Sequence, residues 1–403
     1  AESGVNQNQG SITISNVKAG ETYSIYRILD LDSYNYTDAN HGNYSYTYRQ
    51  DDHSANGWKQ FIILHKGENE FFKLTGSKYI TANTGVEGED IAKAALSYAK
   101  ANGISADDSY TATEDGTHTF EHLPLGYYLV ESSVGAVCNL TTTNPSQNIK
   151  VKYTEPTVEK NILSNEKLVK NTSANIGDHI HYQVKITLGK GAKNYVFHDQ
   201  IGDGLQYNEI KNKVFVMITK EDGTPIVDNN SYTIDYAADK KSFTLNFKDP
   251  FIQQYSENQS LILTYTATVT KEAEVDTALK NIAYLNYGNN QRTGDQVANV
   301  WTYKIPVFKY YVKGSGKWST DEPLADATFN LYEGSETPDK LMKFSKDEKG
   351  YTIDIKKSET NSADLVSDGT GYININGLAT GTYILKETKA PNGYLLDGAY
   401  MQA

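Results

Sequence analysis

Among its 403 residues the chain carries a single cysteine, Cys138, with three methionines and nine prolines. One thiol cannot close an intramolecular disulfide, so the fold must rest on its cores or on some other covalent tie. No apolar run approaches the ~18 residues that a membrane-spanning helix needs, so no membrane partner is expected for this chain. Positive charge is in deficit: 38 Lys and Arg stand against 50 Asp and Glu, a net charge of −12. Such a surface repels nucleic acid, anionic membranes and acidic substrates. Metal-ligand spacing is missing too. His118 with His122, and His179 with His181, could pair on a face, but neither pair has a Cys or a third ligand nearby. DLDSYNYTDANH opens like a calcium loop at Asp30, yet Asn35 stands where the loop turns on Gly and His41 where it closes on Glu. KGSGKW lacks the phosphate-loop spacing, and no Ser, His and acid arrangement announces a hydrolase. Neither a cofactor nor a metal nor turnover of a substrate is expected. With no signal peptide at Ala1 and no anchor after Gly398, the chain reads as trimmed at both ends, and absent targeting signals do not argue for the cytoplasm.

What the chain does have is 31 tyrosines, frequent Thr and Val, and short alternating runs between turns. These favour an all-β fold of tandem immunoglobulin-like sandwiches. Three units are expected. Residues 1–152 open with GSITISNV and SIYRIL, pass through a Tyr- and Asn-rich excursion over 33–58, and close with HTFEHL, GYYLVES and NIKVKY. One short helix is predicted within this unit, over Glu89 to Ala101, with Ile91, Ala94, Ala95 and Tyr98 on its inner face, acids at its start and Gly103 past its end. Residues 153–304 hold strand candidates such as HIHYQVKITL, AKNYVFHDQI, SLILTYTATVT and NIAYLNY. Residues 305–403 run from IPVFKYYV to GTYILKETKAPNGYLL, short for a complete sandwich, so the last strand is expected past Ala403.

In the second unit three polar groups sit alone on otherwise apolar faces. Lys160 lies between Val158 and Ile162, Asp199 between Phe197 and Ile201, and Asn281 between Leu279 and Ala283. Each alone reads as an edge residue, a ladder acceptor or a satisfied core amide. Together they form a chemistry. Burial lowers an amine pKa and raises a carboxyl pKa, so a neutral amine and a protonated acid can coexist. The amine can then attack the Asn281 carbonyl while the acid hydrogen-bonds its oxygen and shuttles protons, releasing ammonia and leaving a side-chain amide. The third unit repeats the logic with Lys309 beside Val307 and Tyr311, and Glu387 beside Leu385 and Tyr383.

LATGTYILKETKAPNGY resembles the E-box of CnaB-type domains, and VFKYY followed by PLADATFNLYEG resembles their opening strands. The second unit is similar to CnaA-like domains, with PTVEK, the Asp199 strand and NIAYL at the lysine, acid and asparagine positions. With the GSITI and LPLGYYLVE segments, the whole chain resembles the major pilin, or shaft subunit, of Gram-positive sortase-assembled pili. That resemblance implies autocatalytic Lys160–Asn281 bonding with Asp199 as proton shuttle, and a Lys309 and Glu387 pair whose asparagine lies beyond Ala403. It also implies a polymerisation lysine on the last strand of the first unit. No YPK motif is present, so Lys152 fits best by position, with Lys150 as the alternative. In GYYLVE the odd spacing of Tyr128 and Glu131 turns Glu131 to the opposite face, and no lysine lies between Ser11 and Val17, so no cross-link is expected in the first unit.

The implied protein is an extracellular, cell-wall-anchored pilus subunit that is not an enzyme beyond its self-cross-linking. Its implied partners are identical subunits head to tail, a pilin-specific sortase, other pilus subunits and a possible host ligand. Two rivals stay open at this point. One is a monomeric cell-wall adhesin for a host matrix protein or glycan. The other is a carbohydrate-active enzyme using Asp199 or Glu387.

Overall fold

The computed structural model describes residues 10–35, 43–134, 139–142, 146–150, 154–227, 230–255, 258–312, 322–396 and 400–402. Strands alternate buried and half-buried positions nearly everywhere, which is the signature of sheets with one face against a core. In the first domain β1 (Gly10–Val17) turns Ile12, Ile14 and Val17 inward. It lies between β3 (Gly116–Leu123), antiparallel, and β5 (Ser146–Lys150), parallel. This small sheet faces a larger one centred on β2 (Thr22–Asn35) and β4 (Gly126–Ser132). Both strands are apolar on two sides. Ile25, Tyr128 and Val130 join the core between the sheets, whereas Ile28 and Leu129 join a second core under two helices.

The sequence led us to expect one helix in this domain, and there are two. α1 (Trp58–Leu64) presents Trp58, Phe61 and Ile62, an i, i+3, i+4 set, to the second core. Its entry is held by the Asp52 carboxylate, which accepts the Lys59 N–H at 2.9 Å. α2 (Gly88–Asn102) ends at Gly103, whose φ of +64° lets its N–H reach the last carbonyls. The buried face of α2 is Ile91, Ala92, Ala95, Leu96 and Ala99, not the expected Ala94 and Tyr98, which lie a step round the helix and are half-buried. Strand also enters the expected excursion over 33–58. β2 runs on to Asn35 and pairs with a strand over Asn43–Tyr48.

The second domain is a two-sheet sandwich. One sheet contains β6 (Thr157–Ser164), β7 (His179–Thr187), β10 (Ser260–Val269) and β9 (Leu205–Tyr207) in that order. The other contains β12 (Gln296–Trp301), β11 (Leu279–Tyr287) and β8 (Val196–Ile201). Only the buried Thr302 separates β12 from β13 (Tyr303–Phe308), the first strand of the third domain. There β13 pairs β15 (Tyr372–Leu378), and β14 (Thr328–Glu333) pairs β16 (Tyr383–Lys389). A strand expected past Ala403 already begins within the chain: β17 (Tyr400–Gln402) pairs β16, with Met401 opposite Leu385.

Two buried contacts join the first domain to the second. The Glu21 carboxylate, fully buried, accepts the N–H groups of Asn289 and Asn290 at 2.8–3.0 Å and the Ser133 hydroxyl. Gly288 makes room for it, since a Cβ there would stand 2.8 Å from Glu21 Oε1. Beside it Lys193 donates to Glu131 at 2.8 Å and to the Ser132 carbonyl at 3.0 Å. Glu21→Ala would remove the charged acceptor of two backbone donors, bonds of a kind worth about 1.5–3 kcal/mol each. We expect it to lower the urea midpoint of the joint and to speed proteolysis there. Lys18→Ala, which breaks the exposed pair with Asp115, should change either by little.

Candidate functional site

The three polar residues singled out in the second domain meet in the middle of its sandwich. Asp199 on β8 pairs with Ala283 on β11, and Ile201 with Asn281, so the acid and the amide are diagonal neighbours on one inner face. Lys160 reaches them from β6 in the opposite sheet. All three side chains are sealed, with residue exposures of 0% for Lys160, 1% for Asp199 and 0% for Asn281. Lys160 Nζ donates to Asp199 Oδ2 at 2.7 Å.

Three tyrosines complete the site. The Tyr265 hydroxyl on β10 bonds both Lys160 Nζ and Asp199 Oδ2, and Asn281 Nδ2 donates to it at 3.5 Å. Tyr207 on β9 donates to the other carboxylate oxygen, Oδ1, at 2.6 Å. The ring faces of Tyr182 and Tyr265 lie 4.8 and 4.9 Å from the amine. Burial pushes the Lys160 amine below the ordinary lysine range, against the opposing pull of Asp199. Burial, reinforced by the Asp199 charge, pushes the Tyr265 and Tyr207 phenols well up, so both stay protonated. The expected direct bond from the acid to the amide carbonyl is not made. Among the described residues Asn281 Oδ1 has no hydrogen-bond partner, and Tyr265 stands between the acid and the amide nitrogen. The tyrosines were not singled out from the sequence. The signal for Tyr265 was its place on the buried face Leu261, Leu263, Tyr265, Ala267, where a hydroxyl must find a partner.

In the third domain Lys309, just past β13, donates to Glu387 Oε2 on β16 at 2.9 Å. This pair is wetter, with side-chain exposures of 25% and 14%, and Glu387 Oε1 is buried without a partner among the described residues. An open cavity of about 490 Å³ lies beside it, bounded by Leu324, Pro391 and Tyr394. Among the described residues no asparagine bonds either group, and Tyr400–Gln402 contains none. In the first domain Glu131 lies on the face opposite Tyr128 and is bound by Lys193 and Lys100. Burial would raise the Glu131 carboxyl, but the two lysines outweigh it and hold the group below its usual range. Tyr128 and Tyr383 occupy equivalent corners, each donating at 2.7 Å to the carbonyl four residues back, Pro124 or Ala379. Lys152 lies outside the described residues, and Lys150 ends β5. Of the segment that opens at Asp30, the part to Asn35 is strand, with Asp30 near Arg27 and Asp32 bonded to Lys78, and residues 36–41 lie outside the described residues. His118 stacks on Tyr110, and His179 bonds Thr268.

Residues 316–403 match the SpaA prealbumin-like fold domain family. Along 98% of its length the chain superposes on 79% of the three-domain T6 backbone pilin of Streptococcus pyogenes, at 17% identity and a TM-score of 0.54. The full-length major pilins SpaD of Corynebacterium diphtheriae and RrgB of Streptococcus pneumoniae also align over 98% of the chain. They match 90% and 94% of their own lengths, at 18% and 13% identity, with TM-scores of 0.48 and 0.49. No curated protein matches the chain. The third domain thus matches that family model, the whole chain shares the fold of the three-domain T6 backbone pilin, and the fold is all-β. Among the described residues no helix is long and apolar enough to cross a membrane.

Removing Lys160 alone would leave the sealed Asp199 carboxyl without its amine, at about 3–5 kcal/mol for a broken buried pair. Lys160→Met should therefore unfold at lower urea than Lys160→Met/Asp199→Asn. Neither variant has the amine, so the comparison isolates the buried charge.

Proposed function

We propose that the chain is a structural subunit of a covalently polymerised Gram-positive surface pilus, tied internally by an amide between Lys160 and Asn281. One observation carries this reading: an amine, an acid and a carboxamide, drawn from three strands in two sheets, share one dry site. No ordinary structural role asks for that combination. The amine's lowered pKa supplies the neutral nucleophile, and ammonia is the leaving group. A tie between positions about 120 residues apart would remove roughly 4–5 kcal/mol of denatured-state freedom, by analogy with disulfide loops. Under tension its effect is larger. Load entering β6 passes through Lys160 to β11 and out by β12, and the strands in between are bypassed.

Anchoring to the cell wall, and joining by a sortase through Lys152 or Lys150, belong to the same proposal. So does a partner of identical chemistry at each end. Lys309 and Glu387 are read as the same chemistry in the third domain, requiring an asparagine that its described strands do not bring to them.

The intact mass of the denatured chain tests the amide. We expect one ammonia fewer than the sequence requires, restored in Lys160→Ala and in Asp199→Ala. A loss of two would mean that a second domain also closes, and no loss would remove the cross-link. A transpeptidation assay with a pilin-class sortase tests the joint. Lys152→Ala should stop multimer formation while Lys150→Ala does not.

A further inference from the structure

The amide reading leaves a gap in its proton path. The bond that forms joins Lys160 Nζ to Asn281 Cγ, the bond that breaks is Cγ–Nδ2, and a proton lost by Nζ must reach Nδ2 for ammonia to leave. Asp199 is the expected carrier, yet its oxygens are engaged elsewhere. Oδ2 is held by Lys160 and Tyr265, and Oδ1 by Tyr207. Neither oxygen bonds Asn281 among the described residues. Among the described residues the one group that bonds the amine, the acid and the amide nitrogen is the Tyr265 hydroxyl.

Resting on the amide reading, we infer that Tyr265 is a catalytic residue of the closure, relaying the proton from Lys160 Nζ to the departing Asn281 Nδ2. At rest the hydroxyl donates to Asp199 Oδ2 and accepts from Nδ2; once the carbon is tetrahedral it turns its proton to Nδ2 as its oxygen accepts one from the attacking amine, so the phenol ends neutral and no net charge is created on it. Burial and the Asp199 charge, which disfavour a phenolate, suit this exchange and exclude one in which Tyr265 works as an ionised base. Asp199 orients the relay and stabilises the positive charge that develops on Nζ. Tyr207, which touches neither reacting nitrogen, is a positioning residue for that carboxylate. The Tyr265 ring is itself fixed, packed at 5.6 Å against Tyr182 and at 5.3 Å against Phe243. A relay of this kind needs such a fixed oxygen.

The test is a time course of ammonia loss. The full chain is made by cell-free synthesis, quenched in denaturant at intervals and weighed intact. Tyr265→Phe keeps the ring and deletes the relay, and we expect closure slowed on the order of 10²-fold, the usual worth of a positioned proton-transfer group. Tyr195→Phe, which loses a buried hydroxyl bonded to the Gly189 N–H, should close at the wild-type rate. Folding of each variant is scored by protease resistance. Wild-type speed in a folded Tyr265→Phe chain overturns the relay and leaves the amide standing, whereas a wild-type chain that never loses ammonia overturns both. If Tyr265→Phe does not fold, difluorotyrosine at position 265 replaces it. This nearly isosteric side chain has a more acidic phenol, and an unchanged closure rate would equally overturn the relay.

Discussion

Everything in the second domain is arranged around the ion pair between Lys160 and Asp199, sealed between two sheets with no water-facing edge. Separated charges at that depth cost several kcal/mol each to desolvate, and attraction alone repays this only when every remaining donor and lone pair is engaged. The tyrosines meet that condition. Two hydroxyls engage the carboxylate, and two ring faces flank the amine. What stays unengaged at the site, among the described residues, is the Asn281 carbonyl oxygen together with the Tyr182 hydroxyl. A core of this kind is poised rather than settled.

The third domain shows the same residue types under a different constraint. Lys309 and Glu387 lie at a sheet end beside an open cavity, so water shares in their solvation. Sealing separates the two sites as much as the asparagine does.

Much of this was legible in the sequence because a strand reports its faces two residues at a time. Lys160, Asp199 and Asn281 stood out against apolar neighbours, and nothing but the pleat was needed to place each on an inner face. The same rule put Glu131 away from Tyr128. It could not say what Glu131 faces, because Lys193 belongs to another domain. Tyr265 and Tyr207 were hidden for a related reason. A tyrosine in an apolar row looks like core, and only the pairing of β9 and β10 brings their hydroxyls to one carboxylate. α1 was missed because its apolar triad directly follows a polar stretch without period, and the inner face of α2 was misjudged because an alanine-rich helix offers weak contrast between its sides.

The junction at Thr302 has a mechanical meaning. β12 ends at Trp301 and β13 begins at Tyr303, while the Ile176 N–H bonds the Gly377 carbonyl and Asn175 accepts the Ala379 N–H across the same boundary. One residue offers about 3.3 Å of contour length, so this joint contains almost no slack. A string of such units is inextensible at low force. It lengthens only by breaking structure, and it therefore transmits a pull from one domain to the next without the delay that a flexible linker would impose.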